Sequence, residues 1–156
     1  MKLSEILNED LILPSLQGGD VPSILREFAS AIFASGKFSD QQLLFDRLLD
    51  REKQESTGIG NRVAIPHCKI DNLQDIILAI GYSDQGVDFR AIDGEPTYYF
   101  FVVVSPSSSS VMHLRTLAAV SRLLKSPGFL HALQQRPGRK ELIALIRQEE
   151  ETTTIT

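Results

Sequence analysis

The stretch Ser56 to His67, STGIGNRVAIPH, carries two glycines, then an apolar run, then a proline directly before a histidine. Pro66 fixes its own backbone torsion, lacks an amide donor and biases Ile65 toward extended backbone, so the His67 imidazole is expected where a strand ends. Its near-neutral pKa suits a nucleophile, an acid or base, a metal ligand or a hydrogen-bonded polar residue. Gly58 and Gly60 permit close backbone approach and leave amides that an anion can use. The spacing matches neither a Walker loop nor a dinucleotide fingerprint.

Two further cationic or titratable groups have placements with a functional reading. His113 falls in the first turn or so of a helix that follows the serine run Ser107 to Ser110. It is expected near the edge of that helix, where free amides favour an anion and disfavour imidazolium. An ordinary boundary histidine is the simpler reading of the spacing. Arg51 closes a helix, where a cation meets the C-terminal dipole; its alternative is a guanidinium that pairs with a phosphoryl group. His131 has no constellation around it and reads as surface. Cys68 follows His67 directly, which raises a metal site of His67, Cys68 and His113. Neighbouring residues in an extended segment face opposite ways, so joint ligation is awkward. A lone cysteine is usually a small buried hydrophobe. No G-x-S-x-G elbow occurs.

These groups need a scaffold, and 156 residues with 42% apolar and 23% charged content fit one domain with a real core. Residues 1–150 are expected to form it, with 151–156 a disordered tail and fraying from Glu149. The apolar run Tyr98 to Val104 is far short of the roughly 20 residues of a membrane helix, and the N-terminus has no export signal pattern. A soluble cytoplasmic protein is expected, consistent with a single cysteine. The net charge of −4, with no Lys/Arg cluster, argues against nucleic acid.

Pro22, Ile24, Leu25, Phe28 and Ile32 predict a helix from about 21 to 35, capped by Asp20 and stopped at Gly36. A capping-box pattern from Ser39 to Gln42 predicts a second helix through Leu48 that ends near Arg51. Ile76 to Tyr82 and Tyr98 to Val104 read as strands, the second central because it is apolar on both faces. Leu114, Leu117, Ala118, Ser121 and Leu124 mark one face of a helix with an N-cap at Ser110. Ser126-Pro127 opens a short helix, and Leu142 to Ile146 marks a final one. The interleaving predicts a single α/β domain, a mixed β-sheet with helices on both sides.

STGIGNRVAIPHCK resembles the active-site signature of the type-2 IIA domains of the bacterial phosphoenolpyruvate-dependent phosphotransferase system, the fructose/mannitol and nitrogen-regulatory group. Gly86-Val87-Asp88-Phe89, Ala91-Ile92-Asp93-Gly94, the strand into Ser105-Pro106, and His113-Leu114-Arg115-Thr116-Leu117 through Ser121-Arg122-Leu123-Leu124 look like the family's other blocks in order. The resemblance covers nearly the whole chain. It implies that His67 accepts a phosphoryl group at Nε2, that His113 and Arg51 are the second active-site histidine and the active-site arginine, and that Thr57, Gly58 and Gly60 line the phosphate pocket. It implies the mixed sheet read above and no metal or organic cofactor. The implied donor is a phosphohistidine on an HPr-type carrier, and the implied acceptors are regulated target proteins or a IIB protein. The signature is more similar to the nitrogen-regulatory branch, which favours a regulatory phosphocarrier over a fructose- or mannitol-type transport subunit. A binding module that has lost transfer is the alternative from another class. Arg62 and Cys68 depart from the pattern, where small residues are common, and Ser107 to Val111 lacks the acidic residues often seen there. Arg62 is expected to point to solvent.

Overall fold

The computed structural model describes residues 2–155. A short helix α1 (Leu3–Ile6) leads into strand β1 (Leu7–Leu16), followed by helices α2 (Val21–Ala34) and α3 (Gln41–Gln54). Three short strands come next, β2 (Gly58–Gly60), β3 (Val63–Ala64) and β4 (His67–Ile70), then the long strands β5 (Ile77–Val87) and β6 (Thr97–Pro106). Helices α4 (Ser110–Leu124), α5 (Pro127–Gln134) and α6 (Arg139–Ile155) complete the chain.

The sheet has the order β1-β5-β6-β3-β2, with β4 also paired to β6. β5 and β6 are antiparallel, whereas β1 runs parallel to β5 and both β3 and β4 run parallel to β6, so the sheet is mixed as expected. Along β6 the side chains alternate between two cores. Phe100, Val102 and Val104 enter the core beneath α2 and α3, while Tyr99, Phe101 and Val103 enter the one beneath α1, α4, α5 and α6. Burial on both faces is why this strand reads as continuous apolar sequence.

Several sequence expectations shift. β1 was not expected; its polar residues Asn8, Glu9 and Asp10 and its Pro14 suit a strand paired along one side only. Asp20 caps α2 as expected, accepting from the Ser23 amide. The cap of α3 is Asp40, not Ser39, with its carboxylate on the Leu43 amide at 3.0 Å, and the helix runs past Arg51 to Gln54. α4 is capped by Ser109, not Ser110. α6 continues through the start of the stretch expected to fray, as far as Ile155, residue 156 of that expected tail lying outside the described residues, and the Glu150 carboxylate accepts from the Leu3 amide at 2.6 Å and the Ser4 hydroxyl at 2.8 Å. That contact closes the α1 end of the domain onto its last helix.

The buried face of α4 is also rotated from the expected one. His113, Thr116, Val120, Leu123 and Leu124 point inward, while Leu114 is 65% exposed. His113 therefore lies in the sheet-facing row and not at the edge. Because Ser109 Oγ accepts the Met112 amide at 3.1 Å, Ser109→Ala should cost about 1 kcal/mol in a urea unfolding experiment. Ser110→Ala, at an exposed position, should stay within about 0.5 kcal/mol.

Candidate functional site

The site is built around a break in one strand. β3 and β4 lie end to end along the same side of β6, in register Ala64↔Phe100 before the break and His67↔Val103 after it. Ile65 and Pro66 span the gap. Pro66 has no N–H to give the ladder, although its carbonyl still accepts the Val103 amide at 3.0 Å. The Ile65 amide points away from β6, to the carbonyl of Thr57 at 3.0 Å. His67 restarts the strand, so the imidazole stands at a strand start immediately after an interruption.

The His67 ring is half-buried, and its Nδ1 lies 2.7 Å from the Ile65 carbonyl oxygen. A carbonyl only accepts, so Nδ1 carries the proton and the lone pair of the neutral ring is on Nε2. His113 is buried, with its ring centroid 5.5 Å from that of His67 and the planes tilted by 50°. Its Nδ1 is 2.7 Å from the hydroxyl of Ser105, a fully buried residue at the C-terminal end of β6.

Burial lowers the pKa of both imidazoles. For His67 the Ile65 hydrogen bond acts the other way and the Arg51 charge adds to the lowering. His113 is brought down to about 4 by burial first, then by the neighbouring His67, Lys69 and Arg51. An NMR titration should accordingly find both rings neutral at pH 7, with His113 protonating only near pH 4. The unfolded chain takes up these protons near pH 6.5, before the folded one does, so this contribution to stability falls as the pH drops from about 6.5 toward 4.

Arg51 reaches the site from the last turns of α3. From that last turn its Nη1 donates to the carbonyl of Glu55, the residue that caps α3, at 2.7 Å, and its charge is felt at both imidazoles. Lys69 was missed in the sequence. It lies two residues after His67 in β4, hence on the same face, and pairs in register with Ser105. Strict strand alternation was the signal that could have found it.

The glycine-bearing loop does not leave all of its donors open. Thr57 gives both its amide and its hydroxyl to Glu52, each at 2.7 Å, and the Gly58 amide goes to Ser56 Oγ at 3.0 Å. Ser56 Oγ in turn donates to the Phe89 carbonyl. A Cβ on Gly58 would meet Ala91 at 3.0 Å, so the close approach it permits is to the chain itself. Gly60 has φ +88°, and Asn61 and Arg62 follow with φ of 55° and 67°, a two-residue turn joining β2 to β3. The left-handed backbone at Arg62 gives a physical reason for a glycine preference there. The Arg62 side chain is exposed, and its guanidinium lies over the Tyr98 ring, 5.4 Å from the centroid.

Cys68 points to the opposite side of the sheet from His67, into the core beneath α2 and α3, and burial pushes its thiol up to about 12. It neither joins the two histidines as a ligand nor supplies a thiolate. Among the described residues no group of three or more His, Cys, Asp and Glu side chains is arranged to hold a metal ion. His131 is exposed on α5. On the helix that carries His113, Val111 and Leu114 are 60% and 65% exposed, and Ile59 is exposed on β2.

Fold and site together define a histidine-centred α/β domain: a mixed sheet between two helical layers, with one tautomer-fixed imidazole at a strand break and a second beside it. The chain belongs to the family described as phosphoenolpyruvate-dependent sugar phosphotransferase system, EIIA 2, whose model matches residues 5–149. It is 32% identical over 146 residues to a nitrogen regulatory protein of Pseudomonas aeruginosa, covering 94% of this chain and 95% of that one. It is 29% identical over 150 residues to the fructose-specific EIIABC component of Bacillus subtilis, covering 96% of this chain but only 24% of that longer protein. The fold matches the crystal structure of nitrogen regulatory protein IIA-Ntr from Neisseria meningitidis with a TM-score of 0.85 and 24% identity, over 92% of this chain and 98% of that one. Among the described residues no helix is long and apolar enough to cross a membrane.

Proposed function

We propose that His67 Nε2 accepts a phosphoryl group from a phosphohistidine on an HPr-type carrier. The observation that carries this reading is the 2.7 Å contact between Nδ1 and the Ile65 carbonyl, which leaves the Nε2 lone pair free on a ring that burial keeps neutral. In the transfer the Nε2–P bond forms as the P–N bond to the carrier imidazole breaks, and the carrier nitrogen leaves with the electron pair. Charge on the equatorial phosphoryl oxygens is met by Arg51, whose field acts at both rings, and by Lys69, whose field acts at His113. A neutral His113 adds a donor when the Ser105 hydroxyl donates to its Nδ1, because the proton is then on Nε2. Thr57, Gly58 and Gly60 serve as the shaped wall of this pocket, with the Thr57 and Gly58 amides held by the protein itself.

Val111 and Leu114, exposed on the helix that carries His113, supply apolar surface of the kind a transient partner covers, first the carrier and then an acceptor. The nitrogen regulatory relative is matched nearly end to end, which favours a cytoplasmic regulatory phosphocarrier whose phosphorylation state controls binding to target proteins. The fructose-type resemblance favours a second reading, a IIA subunit that passes the group to a IIB protein. The test is incubation with phosphoenolpyruvate, enzyme I and the HPr-type carrier. One acid-labile phosphate per chain is expected; no label with any cognate carrier contradicts the proposal. Onward transfer to a sugar-specific IIB protein would select the second reading.

A further inference from the structure

Glu52 has no part in the transfer step, yet its carboxylate is directed at the site. It sits on α3 immediately after Arg51 and is only 9% exposed. Oε2 accepts the Thr57 amide and Oε1 the Thr57 hydroxyl, both at 2.7 Å, so the two oxygens converge on one buried residue. The chain of contacts continues from there. The Thr57 carbonyl accepts the Ile65 amide at 3.0 Å, and the Ile65 carbonyl accepts Nδ1–H of His67 at 2.7 Å. Burying a carboxylate is costly, and burial raises the pKa of this one while the Thr57 bonds and the Arg51 charge oppose that shift.

The break between β3 and β4 explains why such an anchor matters. At Ile65 the amide is bonded to Thr57 and not to β6, so the placement of its carbonyl depends on where Thr57 is held. We propose that Glu52 is a positioning residue for His67, acting through Thr57 and Ile65 to keep the imidazole proton on Nδ1 and Nε2 free. The amide and carbonyl of Thr57 belong to different peptide units, and so do those of Ile65. The chain therefore acts by fixing positions and passes neither a proton nor charge. Its consequence for rate rests on the phosphoryl-acceptor reading; its consequence for the imidazole does not.

The experiment uses the full chain and two near-isosteric variants, Glu52→Met, which offers Thr57 no oxygen acceptor, and Thr57→Val, with Thr57→Ser as the rescue that retains both bonds. The first readout is the ¹⁵N NMR spectrum of the unphosphorylated imidazoles. Wild type and Thr57→Ser should show His67 in a single Nδ1–H tautomer, while Glu52→Met and Thr57→Val should show the two ring nitrogens averaging toward each other. The second readout is single-turnover phosphoryl acceptance against carrier concentration. The rate at saturation should fall about tenfold in Glu52→Met and Thr57→Val, as small misplacements of reacting groups produce, with half-saturation unchanged. A folded Glu52→Met or Thr57→Val that keeps the wild-type tautomer overturns the proposal. If the tautomer responds but wild type accepts no phosphate, the positioning role stands and the phosphoryl-acceptor reading fails.

Discussion

His67→Ala is expected to abolish phosphate labelling altogether, with no residual slow phase on another side chain. His113, the other ring at the site, is buried and bonded at Nδ1 to Ser105, and no carbonyl fixes its proton there to leave Nε2 as the free nucleophile. Cys68 is no substitute, since its thiol faces the opposite core and is held protonated. Losing the half-buried imidazole leaves the carbonyl of the buried Ile65 without that donor, at a cost to stability of about 1–3 kcal/mol. The variant should therefore remain folded while losing all label, as read by circular dichroism and by autoradiography of the same sample. Normal labelling would show that the acceptor has been misassigned.

His113→Asn should lower the transfer rate about 100-fold, the usual consequence of removing one preorganised donor from a developing charge. Asparagine is the informative substitution because its amide reaches about where Nδ1 sits and can keep the bond to the buried Ser105 hydroxyl, while Nε2 is lost. His113→Ala mixes two effects, since it also strands Ser105 Oγ at a cost of about 1–3 kcal/mol. The loss in His113→Asn should appear in the rate at saturating carrier. A change confined to half-saturation would mean that His113 contributes to docking only.

Much of the architecture was legible because burial on both faces of β6 imposes an unbroken apolar run, and because α2 repeats its core residues at helical spacing. An interruption beside His67 was legible for a local reason, since proline restricts both itself and its predecessor, but His67 begins strand β4 where a strand end was expected. What escaped notice depended on tertiary neighbours. β1 carries a polar run and a proline that one-sided pairing tolerates. The face of α4 was misjudged because Leu114 is apolar without being core, which drew the inward row away from His113. Glu52 offered no signal, since a helical glutamate usually faces water and only the fold brings Thr57 onto it. Lys69 was readable by strand alternation once His67 had been placed in a strand.

The most direct test of the whole account is the atom that carries the phosphate. Protein with ¹⁵N-labelled histidine, phosphorylated through the carrier, should show the phosphoryl group on Nε2 of His67, with Nδ1 still protonated against the Ile65 carbonyl. A phosphoryl group on Nδ1 of His67, or on His113, would contradict it.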